Sequence, residues 1–278
     1  MKLSKALEIL MQIIGGIAIG LPPTVISVLR RPWVLFNPRE ISNIFMSHVW
    51  MAFLNGIDQN EANTKRELLY TEAYGVVLDI GAGHGHAVQY LDPSRVTRYI
   101  ALEPNTILHD KIREKANKAG FFESDGRLTI LGCGAEDTHD ILAALRNSND
   151  PNTKEPHPVD TLVSIFTLCS VPNVETTIKT LVGDVLKPGG LFLYYEHVKS
   201  PRADVVWWQQ FWTPFWSGFF GGCCLDRPTD KLIEGLRLKD GKGGSGKRGA
   251  WKEHKQWENP DQDPEELFKR TLGRFVKA

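Results

Sequence analysis

Apolar positions along this chain fall into two kinds of pattern. From about residue 71 to residue 198 they come as short runs, each closed by glycine or an acid: Val76-Val77-Leu78 into Asp79, Tyr99 to Leu102 into Glu103, Leu128 to Leu131 into Gly132, and Val159 to Phe166. A fifth run, Leu191 to Tyr195, follows the turn Lys187-Pro188-Gly189-Gly190. Short unbroken apolar runs between turn residues fit strands buried on both faces. The segments between them, His86 to Leu91, Ile107 to Ala119, Thr138 to Arg146 and Val174 to Leu186, read as helices. This alternation predicts an α/β layer structure around a mostly parallel sheet, with Leu272 to Val276 as a terminal strand inserted antiparallel beside the fifth.

Elsewhere the apolar residues form helical stripes. Ala6 to Leu21 is apolar apart from Glu8 and Gln12, and Pro22-Pro23 separates it from a second run, Thr24 to Leu29, that ends at Arg30-Arg31. A double proline disfavours one straight helix, so two arrangements are open: a kinked span, or a hairpin dipping into one leaflet with Lys2, Lys5, Arg30 and Arg31 at the headgroups. The hairpin is favoured, because basic residues at both ends suit anionic cytoplasmic lipid. A signal peptide or a soluble packed helix would show the same composition, though apolar residues continue through Trp33 to Phe36, past any cleavage site. Asn37 to Tyr70 has apolar positions at three- and four-residue steps and predicts lid helices, with Arg66 and Tyr70 near the core. Trp207, Trp208, Phe211, Trp212, Phe215, Trp216, Phe219 and Phe220 make a second stripe, suited to core packing, an acceptor pocket or a membrane surface.

The first strand carries the chemistry. Asp79 stands two residues before Gly81, Gly83 and Gly85, whose missing Cβ atoms let the backbone turn tightly against a ligand. Dinucleotide sites place their third glycine one position later and receive a pyrophosphate. An acid ahead of the turn suits a cationic amine instead, which points to S-adenosylmethionine. Glu103 falls roughly one βαβ unit later, the place for a ribose-binding acid, with Pro104 beside it. Ala135 and Glu136, after the third strand, stand where an adenine amine would be read.

Taken in order, these motifs resemble those of a class I S-adenosylmethionine-dependent methyltransferase over Thr71 to Val198. Thr167-Leu168-Cys169-Ser170-Val171, Leu186 to Gly190, Tyr195-Glu196-His197-Val198 and the aromatic run Trp207 to Gly222 are similar to the methyltransferase-like family that includes membrane-bound alkyl thiol methyltransferases. The last fifty residues match that family poorly. The resemblance implies a Rossmann-like, mostly parallel seven-stranded sheet flanked by helices. It also implies an apolar membrane-associating segment at 1–35, lid helices at 36–70 and a methyltransferase domain at 71–278. S-adenosyl-L-methionine is then the methyl donor, held by Asp79, Gly81, Gly83, Gly85, Glu103, Pro104, Ala135 and Glu136. A small apolar acceptor such as a thiol is expected, at a cytosol-facing membrane such as the endoplasmic reticulum or a lipid droplet. An O- or N-methyltransferase of secondary metabolism and a membrane-bound scaffold without turnover are the competing readings.

Composition narrows this further. Lys+Arg 33 against Asp+Glu 33 leaves no net charge to recruit nucleic acid. Cys133, Cys169, Cys223 and Cys224 lack paired zinc-type spacing and disulfide density, so no metal is expected and the environment reads as reducing. Cys223-Cys224 is expected to pack as small apolar residues beside the aromatic cluster, redox or metal chemistry being the alternative. His197, just past the fifth strand, is the candidate base or acceptor-orienting group, with a structural histidine as the plain alternative. The glycine- and lysine-rich stretch Asp240 to Gly249 and the polar stretch Asn147 to Pro158 read as loops.

Overall fold

The computed structural model describes residues 1–146, 157–239 and 247–278. The two stretches expected to be loops, Asn147 to Pro158 and Asp240 to Gly249, lie largely outside the described residues. In chain order the elements are α1 (Leu3–Arg30), α2 (Pro38–Glu72), β1 (Gly75–Ile80), β2 (Val96–Leu102), α3 (His109–Lys118), β3 (Leu128–Leu131), α4 (Thr138–Arg146) and β4 (Val159–Ile165). They continue as α5 (Val174–Thr180), β5 (Leu186–His197), α6 (Ala203–Phe219), α7 (Thr229–Glu234), β6 (Arg237–Lys239), β7 (Lys247–Gly249), β8 (Trp251–Trp257) and β9 (Arg270–Lys277).

Among the described residues the main sheet has seven strands in the order β3-β2-β1-β4-β5-β9-β8. The first five neighbours pair in parallel, whereas β9 runs antiparallel to β5 and β8 antiparallel to β9. The order reverses between β1 and β4, and open α/β sheets bind ligands beyond the strand tips at such a switch point. Asp79 lies at that tip, in register with Ala101 on β2 and Val163 on β4. One face of the sheet packs Leu78, Ile80, Ile100 and Phe192 against α4, α5 and α7. The other packs Val77, Tyr99, Val163 and Tyr195 against the end of α2 and α3. The strand β8 escaped the sequence reading because Trp251-Lys252-Glu253-His254-Lys255-Gln256-Trp257 is an edge strand with four exposed polar residues at its centre.

The hairpin expected at the N-terminus is not formed. Leu3–Arg30 is one continuous helix with Pro22 and Pro23 inside it. Proline removes two helical donors there, but the close seating of α1 on α2 fixes its course: a Cβ on Gly20 would lie 2.6 Å from the Phe45 ring and 2.8 Å from Val49. Thr24 also donates its hydroxyl to the Gly20 carbonyl at 2.7 Å. Ala6, Ile9, Ile13 and Gly16 continue the buried stripe, with Gly16 against Phe220 beyond α6. A third core cluster therefore joins α1, α2 and α6 to the sheet domain. The outward faces stay apolar: Leu7, Met11, Ile14, Val25 and Leu29 on α1, then Trp33 and Phe36, and Trp207, Phe211, Phe215 and Phe219 on α6 are exposed.

Candidate functional site

A cavity of about 330 Å³ opens at the switch point, within the range of small-ligand sites. Its floor is the turn after β1. Gly81, Gly83 and Gly85 have φ of 66°, 54° and 73°, the left-handed region where a side chain is strained. Gly81, Gly83, Asp79, Glu103, Pro104, Ala135 and Glu136 all line the cavity. Gly85 does not; a Cβ there would meet the Ile112 backbone at 3.2 Å, so this glycine lets α3 approach the turn.

The two acids are held differently. Asp79 is buried and accepts the Tyr99 hydroxyl at 2.6 Å. Burial raises its carboxyl to about 7, and the Tyr99 bond opposes the rise. Glu103 accepts the Gly83 N–H at 2.9 Å and the Asn105 N–H at 2.8 Å. Burial raises it to about 7 as well, the Asn105 and Gly83 bonds working against that. A carboxylate so placed gains from a cationic or hydroxyl-bearing ligand that restores the partners water would have given. His84, behind the turn, is lowered to about 4 by burial and by His86 and Lys115, so it stays neutral.

The helix α2 closes the cavity through Arg39, Ser42, Asn43, Met46, Trp50 and Lys65. Lys65 is fully buried, whereas Arg66 and Tyr70 point outward. The sequence carried this signal: Glu61, Lys65, Leu68 and Leu69 fall on one helical stripe, and all four are buried. On the opposite wall stand Phe166, Thr167, Ser170, Val171 and Pro172, from the loop after β4, with Gly221 beyond α6. Phe166 has φ of 53°, uncommon for a bulky residue, and its ring lies 4.8 Å from that of Tyr195. The loop is held from beneath by Glu196, whose Oε1 accepts from Ser164 Oγ at 2.7 Å, Thr167 N at 2.9 Å and Leu168 N at 3.1 Å. Burial raises the Glu196 carboxyl, and the Thr167, Ser164 and Leu168 bonds oppose it.

His197 lies off the cavity wall. Its Nε2 stands 3.2 Å from Cys223 Sγ, in a buried group with Cys169. Sequence distance concealed this meeting, since 26 residues and the whole of α6 separate His197 from Cys223.

The methyltransferase domain family matches residues 54–230. Thiol S-methyltransferase TMT1B of Homo sapiens is 25% identical over 199 residues, which span 68% of this chain and 74% of that protein. Thiol S-methyltransferase TMT1A of Homo sapiens is 40% identical over 79 residues, 27% of this chain and 31% of that protein. Among solved structures, an O-methyltransferase family protein from Burkholderia thailandensis aligns with a TM-score of 0.52 at 13% identity, covering 87% of this chain and 61% of that one. That last likeness concerns the fold.

Proposed function

The chain belongs to the methyltransferase domain family and is an S-adenosylmethionine-dependent methyltransferase, and from that premise we propose that it methylates the sulfur of a small apolar thiol at a membrane surface. The observation that carries the proposal is the cavity itself: acids at one end, and Met46, Trp50, Phe166, Val171 and Pro172 among its walls. The relatives named thiol S-methyltransferases support the choice of sulfur.

When bound, S-adenosylmethionine supplies a methyl group already activated by its sulfonium. Asp79 would hold the ammonium of the cofactor and Glu103 its ribose, while the glycine turn gives the backbone room to approach. Lys65 faces the same cavity and would take the carboxylate. Ala135 and Glu136 would border the adenine. What remains for the protein is to align the acceptor and exclude water, and α2, with the Phe166 to Pro172 loop, encloses the space for both. A thiol, with an ordinary pKa near 8.5, needs only a modest bias toward thiolate, so sulfur chemistry requires no dedicated base, and the histidine on the cavity wall, His86, belongs to the cofactor turn. His197 acts in this reading as a positioning residue beneath the loop.

Membrane attachment rests on α1. It is long and apolar enough to cross a bilayer by length and composition, yet one face is committed to α2 and α6. The exposed faces of α1 and α6, with Trp33 and Phe36, suit a helix pair lying in the interface with the domain on the cytosolic side. Such placement would admit an apolar acceptor from the lipid.

The test is turnover by the detergent-solubilised full chain with S-adenosylmethionine and matched octyl acceptors. Formation of S-adenosylhomocysteine with octanethiol, at least tenfold faster than with octanol or octylamine, is expected. Equal or faster methylation of the alcohol or amine would overturn the assignment to sulfur.

A further inference from the structure

Three residues far apart in sequence meet at one point beneath the acceptor loop. Cys169 follows β4, His197 closes β5 and Cys223 follows α6; one donor atom from each lies within 4.8 Å of the other two. Relative exposures are 1% for Cys169, 5% for His197 and 2% for Cys223. Two thiols and an imidazole are soft and borderline donors, and a small inward movement of these side chains would let them share a d10 cation with bonds of about 2.0 to 2.3 Å to nitrogen and sulfur. We propose that Cys169, His197 and Cys223 bind a thiophilic d10 cation, Zn2+ or Cu+, that ties the acceptor loop and the end of α6 to the tip of the sheet.

The surroundings are built to hold these three groups. Gly221 and Gly222, with φ of 59° and 82°, turn the chain sharply after α6. Cys223 N then donates to the Phe220 carbonyl at 3.1 Å, and Cys224 N to the Cys169 carbonyl at 3.0 Å, which sets the two cysteine segments side by side. Arg227 clamps the loop from outside, its Nη1 donating to the Leu168 and Val171 carbonyls at 2.5 and 2.7 Å. Phe268 packs edge-on to His197 at 5.5 Å and to Trp216 at 4.9 Å, forming an aromatic cover against water.

Charge and hydrogen bonding agree. Two thiolates and a neutral imidazole around Zn2+ sum to zero, which suits a buried site with no counter-ion to supply. With Cu+ the three donors already complete a trigonal set, and the net negative charge that this leaves faces the neighbouring Arg227 guanidinium. The imidazole is also poorly served by the protein alone: Nδ1 has no hydrogen-bond partner among the described residues, and burying such a group costs free energy. Small apolar packing would explain the cysteines but leaves the convergence of all three donors, and the half-satisfied ring, without cause. On binding, the cysteine protons are released to solvent as the metal–sulfur bonds form. The cavity-lining residues Ser170 and Gly221 lie within two positions of the ligands, so the cation would stiffen the acceptor side.

The experiment uses the full chain in detergent, purified without chelator and assayed by elemental mass spectrometry. One arm is loaded with Zn2+ and the other with Cu+ under reducing conditions, each then passed over a desalting column. One equivalent of either cation is expected to stay bound, and which one stays identifies the metal. Cys169→Ser and Cys223→Ser should each weaken retention about a hundredfold or more, because even outer partners of a metal site contribute tenfold to a hundredfold; Cys133→Ser should not. Should the ligand variants fail to fold, Co2+ added to the wild-type chain reports directly, through thiolate-to-cobalt charge-transfer absorption. No retained cation and no such absorption in the folded wild type would overturn the proposal, as would equal retention in folded Cys169→Ser and Cys223→Ser variants.

Discussion

Tyr99 on β2 reaches across the strand pair and donates its hydroxyl to Asp79 Oδ2 at 2.6 Å. The cofactor-side acid is thus held by a single neutral donor inside a buried site, and its carboxyl sits at about 7. An ammonium ligand binds the ionised form, so affinity for S-adenosylmethionine is expected to rise between pH 6 and pH 8. Stability without ligand runs the other way. A carboxyl raised in the folded state stabilises below its unfolded value near 4, and that contribution is lost as pH climbs through about 7. Tyr99→Phe removes the donor, pushes the Asp79 carboxyl higher and should move the binding profile toward alkaline pH. Calorimetric titration at several pH values checks this, and a flat profile in both proteins would rule out Asp79 as the ammonium partner.

Asp79→Asn should cut affinity for S-adenosylmethionine by about tenfold to a hundredfold at pH 8, the value of a charge-assisted hydrogen bond of roughly 1.5–3 kcal/mol. Its unfolding midpoint should hold or rise at that pH, because the variant no longer buries a charge. Calorimetry paired with thermal unfolding separates the two effects. Lower stability together with unchanged affinity would assign Asp79 to the fold instead of the ligand.

How much of this was legible beforehand follows from where each signal lives. The apolar runs ending in Asp79 and Glu103 are local, and both acids do line the cavity. The terminal strand was equally readable, since β9 carries buried apolar residues beside β5. Lys65 was readable but passed over, because a lysine on an apolar stripe is taken for a solvated residue while its neighbour Arg66 draws notice. The course of α1 was misjudged for a different reason. Pro22 and Pro23 are local breakers, and the seating of Gly20 on Phe45 and Val49 that outweighs them is tertiary. The meeting of Cys169, His197 and Cys223 is tertiary too, and no spacing rule announces it.

Lys65→Met keeps the length of the side chain and removes its charge. If Lys65 takes the cofactor carboxylate, affinity for S-adenosylmethionine and S-adenosylhomocysteine should fall about tenfold or more. Methylthioadenosine, which lacks the amino-acid portion, should bind both proteins alike. An equal loss for all three ligands would mean that the substitution damages the fold around this buried position.

The exposed ladder Trp207, Phe211, Phe215 and Phe219 on α6 gives a surface test. Trp207 and Phe211 stack at 5.6 Å, a contact made outside the core. Phe211→Glu with Phe215→Glu removes apolar area from the proposed membrane face and adds charge. Flotation with phosphatidylcholine–phosphatidylserine vesicles should show binding reduced on the order of tenfold or more, with cofactor affinity unchanged because neither residue lines the cavity. Undiminished flotation would remove α6 from the membrane face and leave α1 alone there.

Gly15 and Gly20 on α1 should respond with opposite signs. Alanine is the better helix former by roughly 0.5–1 kcal/mol, and at Gly15 nothing lies within 4 Å of the new Cβ. Gly15→Ala should therefore raise the unfolding midpoint slightly. At Gly20 the same atom would stand 2.6 Å from the Phe45 ring and 2.8 Å from Val49, so α1 must back away from α2. Overpacking of this kind costs about 1–3 kcal/mol, which outweighs the helix gain. Because α2 also presents Asn43 and Met46 to the cavity, Gly20→Ala should weaken cofactor binding where Gly15→Ala leaves it unchanged. Thermal unfolding and cofactor titration on the two variants read both effects. Equal behaviour would show that α1 stands apart from α2 in the protein as it exists, embedded in lipid instead of docked on the domain.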